Sequence, residues 1–252
     1  MNFDGKRVLV TGGARGIGRA IARGFADGGA RVALSYLSNH EAAEETLATL
    51  SGGPHSSVVG DLGDPEFCET LVTRTVRELG GLDILVNNAG IFEAHSLNEV
   101  DFAAWRGAWR RTLDTNLIAA ANLCYHAARH MMASGGGRIV NVSSRGAFRG
   151  EPESPAYAAS KAGLNALSQS LAQKLAPHQI FVGVVAPGFV ETDMTTTHLA
   201  GEQGRAIRAQ SPLGRVAKPE EVAHAVLFLA SEGAEFTTGT IIDVNGASYL
   251  RS

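Results

Sequence analysis

Arg7-Val8-Leu9-Val10-Thr11-Gly12-Gly13-Ala14-Arg15-Gly16-Ile17-Gly18 is the stretch on which the fold turns. The apolar run at 7–10 reads as a strand, helical spacing sets in over 17–28, and glycines occupy the turn between them. The same alternation continues along the chain, with further strands expected at 31–35, 57–60, 84–87, 138–142, 181–185 and 240–244. Helix starts are marked between them. Asp64-Pro65-Glu66 offers an N-cap, a proline at the first helical position and an acid on the positive end of the dipole, and Lys218-Pro219-Glu220-Glu221 repeats the last two signals. Strands alternating with helices predict an α/β fold, a doubly wound, Rossmann-like, seven-stranded parallel sheet with helices on both faces and strand order 3-2-1-4-5-6-7. No repeat or Ser/Pro-rich linker divides the chain, so residues 1–252 are expected to form a single domain.

Composition narrows the function classes. The 252 residues are 44% hydrophobic and 19% charged, and the 30 glycines follow no Gly-X-Y period, which excludes a disordered, collagen-like or coiled-coil chain. A net charge of −3 gives the molecule no overall pull toward nucleic acid or an anionic membrane. Cys68 and Cys124 lie far apart and form no CxxC, so neither a disulfide framework nor a structural zinc site is suggested. Residues 1–7 lead directly into the first strand without an apolar leader, and no run is long enough to span a bilayer, so a cytoplasmic location is expected.

The turn at 11–18 has the strand-to-helix context of a dinucleotide-binding site. Gly12 permits a turn that other residues resist, Gly16 lets the backbone approach a pyrophosphate, and Gly18 lets helix and strand pack closely. The spacing is Gly-xxx-Gly-x-Gly, and it is not a Walker motif because Arg19 and Ala20 stand where Lys and Ser/Thr belong. Folds that bind NAD usually place an acid at the end of the second strand; here that place reads Ser35-Tyr36-Leu37-Ser38-Asn39. Without a carboxylate to repel a 2′-phosphate, and with Arg15 in the turn, the site is expected to prefer NADP(H).

Tyr157 and Lys161 stand four apart in a helical stretch and so share a face. A free phenol titrates near ~10, and bringing it to neutrality needs about 3 to 4 kcal/mol, which a nearby ammonium and a nicotinamide cation are expected to supply. Taken with Thr11 to Gly18, Asn87-Asn88-Ala89-Gly90, Asn116, Ser143-Ser144 and Pro187-Gly188 followed by Thr192, the chain resembles the short-chain dehydrogenase/reductase family over essentially its full length. That resemblance implies catalytic roles for Asn116, Ser144, Tyr157 and Lys161. Ser144, thirteen residues before the tyrosine, would polarise the substrate carbonyl, and Tyr157 would protonate it. Lys161 would bind the nicotinamide ribose and lower the tyrosine pKa, with Asn116 supporting a water relay. It further implies that Gly12, Arg15, Gly16, Ile17, Gly18 and Tyr36 line the cofactor, that Asp61 and Leu62 flank the adenine, and that Asn88, Ala89 and Gly90 lie under a ribose. Pro187, Gly188, Val190 and Thr192 would sit at the carboxamide end.

Within the family the chain is similar to 3-oxoacyl-(acyl-carrier-protein) reductases, which implies a 3-oxoacyl thioester substrate and a homotetramer built through the Asn116 helix, the Tyr157 helix and the C-terminal segment. A reductase or dehydrogenase of another alcohol, sugar or polyketide-type ketone stays open, as does a non-catalytic NADP-binding sensor or scaffold. Two departures from the family pattern stand out, Arg145-Gly146-Ala147 after the serine and Asp243-Val244-Asn245-Gly246-Ala247 near the end. Residues 106–149 hold seven arginines (106, 110, 111, 129, 138, 145 and 149) against Asp114 alone, a formal +6. If Arg129, Arg145 and Arg149 ring the cleft they suit an acidic carrier protein or coenzyme A phosphates; otherwise they make subunit contacts or a solvated face. His126 and His130 lack the Glu of HExxH, so no metal site is expected. Residues 195–210 are expected to form a mobile substrate lid.

Overall fold

The computed structural model describes every residue except Met194, Thr197, His198 and Ser252. Its elements run β1 (Arg7–Thr11), α1 (Gly16–Asp27), β2 (Arg31–Tyr36), α2 (His40–Ala48), β3 (Ser56–Val59), α3 (Pro65–Leu79), β4 (Ile84–Asn87), α4 (Phe102–Leu113), α5 (Ala119–Ser134), β5 (Gly137–Val142), α6 (Gly146–Arg149), α7 (Pro155–Leu175), β6 (Ile180–Pro187), α8 (Gly201–Ala209), α9 (Pro219–Ala230) and β7 (Ile241–Val244). The seven strands form one parallel sheet in the order β3-β2-β1-β4-β5-β6-β7. The order reverses at β1, which pairs β2 on one side and β4 on the other. Ligands of open α/β sheets collect at such a switch point, beyond the carboxyl ends of the strands.

Burial on both faces explains the apolar character of the strands. In β1, Val8 and Val10 point into a core layer shared with Ile21 and Phe25 of α1 and Val222 and Val226 of α9. Leu9 points the other way, into a layer built from Leu71 and Leu79 of α3, Leu123 and Met131 of α5, and Leu175 of α7. The helix starts follow their sequence signals. The Asp64 carboxylate accepts the Glu66 N–H at 3.0 Å with Pro65 at the first turn of α3, and the Glu221 carboxylate accepts the Lys218 N–H at 2.8 Å ahead of α9. Between α4 and α5 the helix does not stop. It widens into one π-turn, Asp114–Ile118, that carries Asn116.

The lid expectation at 195–210 resolves in part into α8; Thr197 and His198 lie outside the described residues. No described helix is long and apolar enough to cross a membrane.

Candidate active site

The switch point is stitched together by Thr11 and Asn88. The Thr11 hydroxyl accepts the backbone N–H groups of Asn88 and Ala89, each at 3.0 Å, and the Asn88 side-chain amide donates to the carbonyls of Thr11 at 2.9 Å and Gly12 at 3.2 Å. These bonds fix the turn after β1 against the end of β4. The turn needs its glycines: Gly12 and Gly16 have φ of +62° and +52°, and a Cβ on Gly18 would stand 2.1 Å from the Gly12 carbonyl oxygen. Arg15 caps α1 with backbone alone, with no side-chain cap and no acid in the first turn. The first N–H groups of α1 are therefore free to meet an anion, and the chain passes close enough for a pyrophosphate. The donor set and the steric cradle fit a dinucleotide.

Most of the other expected cofactor residues lie at or just beyond the carboxyl ends of the strands. Thr192 lies across the glycine turn, its methyl carbon 3.2 Å from where a Cβ of Gly16 would be, and Val190 is held by a bridge to Ala217. Pro187 closes β6, and Gly188 donates its N–H to Val244. Ile17 opens α1 and packs against the core. Tyr36 is buried at the end of β2 with its hydroxyl 2.8 Å from His40 Nδ1, and Arg15 is exposed with Asp193 as a distant ion partner at 3.9 Å. Leu62 is buried, whereas Asp61 is exposed and accepts its own loop's Gly63 N–H. Gly90 sits between two of the expected catalytic groups: a Cβ there would meet Asn116 Oδ1 at 3.2 Å and Lys161 Nζ at 3.4 Å.

Beyond β5 the two serines part company. Ser143 directs its hydroxyl to the Lys161 carbonyl at 3.3 Å, a structural bond, while Ser144 accepts the Gly146 N–H at 3.0 Å and stands near enough to Tyr157 to favour its phenolate. Lys161 is buried and donates from Nζ to the Val142 carbonyl at 2.8 Å. Asn116, 1% exposed, is fixed by bonds to Ile91 on both its amide atoms and by a third from Nδ2 to Ser160 Oγ at 3.2 Å. Its π-turn widens the helix where that side chain reaches across to the β4 loop and α7.

Burial shifts both titrating groups of the pair. Burial raises the Tyr157 hydroxyl above the ordinary phenol value, with the Ser144 hydrogen bond pulling the other way. The Lys161 ammonium is docked on the Val142 carbonyl at 2.8 Å and stands 5.8 Å from the tyrosine ring centre. Burial lowers the lysine itself to about 8.

One correction concerns the arginines, which take separate partners. Arg110 pairs with Asp114, Arg111 with Glu93, Arg138 with Glu235 and Arg149 with Glu151, while Arg106 and Arg129 lie over the rings of Phe102 and Tyr125. Arg145 is not at an open cleft mouth but buried. Charges adjacent in sequence here belong to α4, α5, β5 and the two ends of α6.

One positioning residue carries no sequence signal. His95, buried in the loop after β4, has Nδ1 2.8 Å from the Glu93 carbonyl and accepts the Ala156 backbone N–H on Nε2 at 3.2 Å. It thereby satisfies an otherwise orphaned donor in the first turn of α7, the helix that carries Tyr157 and Lys161. Replacing it by Leu leaves the Ala156 N–H buried without a partner, while the Glu93 carbonyl keeps its bond from the Ser154 hydroxyl, so chemical denaturation should register a loss of about 1 to 3 kcal/mol.

The comparisons with known proteins agree with this geometry. The family profile described as "Enoyl-(Acyl carrier protein) reductase" matches residues 12–247. The 3-oxoacyl-(acyl-carrier-protein) reductase of Escherichia coli is 40% identical over 250 residues, covering 99% of this chain and 100% of that protein. The cis-4-hydroxycyclohexanecarboxylate dehydrogenase of Sinomonas cyclohexanicum is 40% identical over 247 residues, 97% of this chain and 96% of its own. Among solved structures, a short-chain dehydrogenase from Burkholderia cenocepacia in complex with NADP superimposes with a TM-score of 0.90 at 37% identity, covering 98% of this chain and 99% of that one. Sheet order, glycine turn and full-length similarity lead to one assignment: the chain belongs to the short-chain dehydrogenase/reductase family of oxidoreductases.

Proposed function

We propose that this oxidoreductase uses NADP(H) to interconvert a ketone and an alcohol, in the direction of reduction, with a 3-oxoacyl thioester as substrate. The observation that carries the reading is the Tyr157 hydroxyl, under the pull of Ser144, beside the buried ammonium of Lys161 on the carboxyl side of β5. The bound cofactor supplies the hydride. Ser144 donates a hydrogen bond to the substrate carbonyl oxygen, and Tyr157 gives that oxygen its proton. A phenol that burial keeps protonated suits a proton donor at neutral pH. Lys161 exchanges or shares its Val142 bond to hold the ribose, and Asn116 orders the path by which the Tyr157 proton is replaced. The first turn of α1 receives the pyrophosphate, Asn88, Ala89 and Gly90 the adenosine ribose, Asp61 and Leu62 the adenine, and Val190 and Thr192 the carboxamide.

The 3-oxoacyl preference is supported by the 40% identity to the Escherichia coli reductase, and the equal identity to the Sinomonas dehydrogenase favours a second reading in which the substrate is a small cyclic hydroxy acid or its ketone. A homotetramer is supported by exposed apolar side chains on α4 and α5, Phe102 at 73% and Tyr125 at 61% exposure. The test is NADPH oxidation followed by its near-ultraviolet absorbance with a panel of ketones that includes a 3-oxoacyl thioester. Tight NADPH binding without turnover of any ketone identifies a sensor instead. Arg15 is expected to contact the 2′-phosphate, and losing a charge-assisted contact of about 1.5 to 3 kcal/mol in Arg15→Glu lowers kcat/KM with NADPH roughly 10- to 100-fold while leaving the NADH value within about threefold. Equal loss with both cofactors contradicts the role given to Arg15.

A further inference from the structure

Arg145 directly follows Ser144 and is 3% exposed. Its guanidinium donates to the Ser248 hydroxyl and to Gln210 Oε1, each at 2.6 Å, and stacks 5.0 Å over the Phe189 ring. Both hydrogen-bond acceptors are neutral. Among the described residues no carboxylate forms an ion pair with it. Glu151, the acid that acts on it electrostatically, is engaged by Arg149 at 3.6 Å. Glu221, on the wall of the same cavity, is gripped by both arms of Arg215 at 2.7 Å. Among the described residues Arg145 is thus a buried cation with no carboxylate in direct contact. Such a charge is expensive to hold in a folded protein, and burial together with Arg149 draws its pKa down to about 10, still high enough to keep it charged at neutral pH.

The guanidinium lines a cavity of about 80 Å³, whose other walls include Phe189, Ile207, Ser211, Val244 and Ser248. One water needs roughly 10 to 15 Å³ on this measure, so a carboxylate has room. The cavity starts at Arg145, the residue after Ser144, and its walls include Ile207 of α8 and Ser211 just beyond it. A planar guanidinium with two arms already oriented is the group best matched to a carboxylate.

We infer that the Arg145 cavity receives a carboxylate carried by the substrate itself, at the end remote from the reacting carbonyl. This deepens the carbonyl-reductase reading of Ser144, Tyr157 and Lys161 and rests on it. An uncharged alkyl end leaves the cation buried and unpaired, whereas a carboxylate neutralises it, so the cavity selects by charge more than by length.

The experiment gives the purified protein NADPH and two 3-oxoacyl thioesters of equal length, one ending in a methyl group and the other in a carboxylate. The expected result is a kcat/KM at least about tenfold higher for the carboxylate-ended compound, expressed mainly in KM, because a charged contact at the remote end binds ground state and transition state alike. Arg145→Met is expected to bring the two values to within about threefold of each other, and Arg145→Lys to retain part of the preference. Should Arg145→Met not fold, the wild-type comparison and Arg145→Lys decide. Equal rates on the two compounds in the wild type, or a preference undiminished in Arg145→Met, overturn the inference and leave the reductase reading standing. Absence of turnover for both, with NADPH bound, overturns that reading and the inference with it.

Discussion

Tyr157→Phe is expected to lower kcat/KM for ketone reduction by about 10² to 10⁴, the range a positioned general acid contributes. The hydroxyl is the only group removed. Ser144 remains to hold the carbonyl and Lys161 remains docked on Val142, so NADPH affinity should move by less than about threefold. A drop confined to KM would assign Tyr157 to binding alone. The direction of its pKa shift adds a pH signature. Burial favours the neutral phenol, so the donor form needed for reduction persists through neutral pH, while the phenolate needed for alcohol oxidation accumulates only as the pH rises. The wild-type oxidation rate should therefore climb through the alkaline range. Oxidation that is flat from neutral to alkaline pH contradicts the assignment.

The parts of this site that could be read from sequence are those dictated by backbone sterics. Gly12, Gly16 and Gly18 announce the turn because a Cβ at 18 collides with backbone and φ at 12 and 16 is left-handed. The strands announce themselves because both faces of a parallel sheet are buried, and the observed ends differ from the expected ones by at most two residues, with β6 running on to Pro187. What sequence could not show depends on contacts between distant segments. His95 meets Ala156 across sixty-one positions, and the π-turn around Asn116 answers a tertiary demand with no change in local periodicity. Arg145 read as one of a surface run because charge in a sequence has no depth. Its burial follows from Ser248 and Gln210, which the chain brings from 103 and 65 positions away. Spacing of i, i+4 places Lys161 on the face of Tyr157, but no spacing reveals that the carbonyl of Val142, nineteen positions away, holds its ammonium.

Lys161→Met is expected to disable the enzyme and stabilise the fold together. Burial holds the lysine at about 8 against an ordinary 10.5, so below pH 8 the native state carries a desolvated ammonium at a cost of about 3 kcal/mol. Removing the charge recovers that amount less about 1 kcal/mol for the lost bond to Val142, a net gain near 2 kcal/mol at pH 7 by urea denaturation. The pH dependence fixes the sign. Between pH 8 and 10.5 the unfolded wild-type chain binds a proton that the native state has released, so this group's contribution to stability rises with pH across that window. The Met variant lacks that rise, and its advantage should shrink as pH increases. Activity should fall by about 10² to 10⁴, because the ribose loses its cationic anchor and Tyr157 its path for proton replacement. A variant less stable than the wild type at pH 7 shows that the Val142 bond outweighs desolvation. A variant that is more stable and still active removes Lys161 from the mechanism, whereas gain in stability with loss of turnover marks a buried charge retained for chemistry at the expense of the fold.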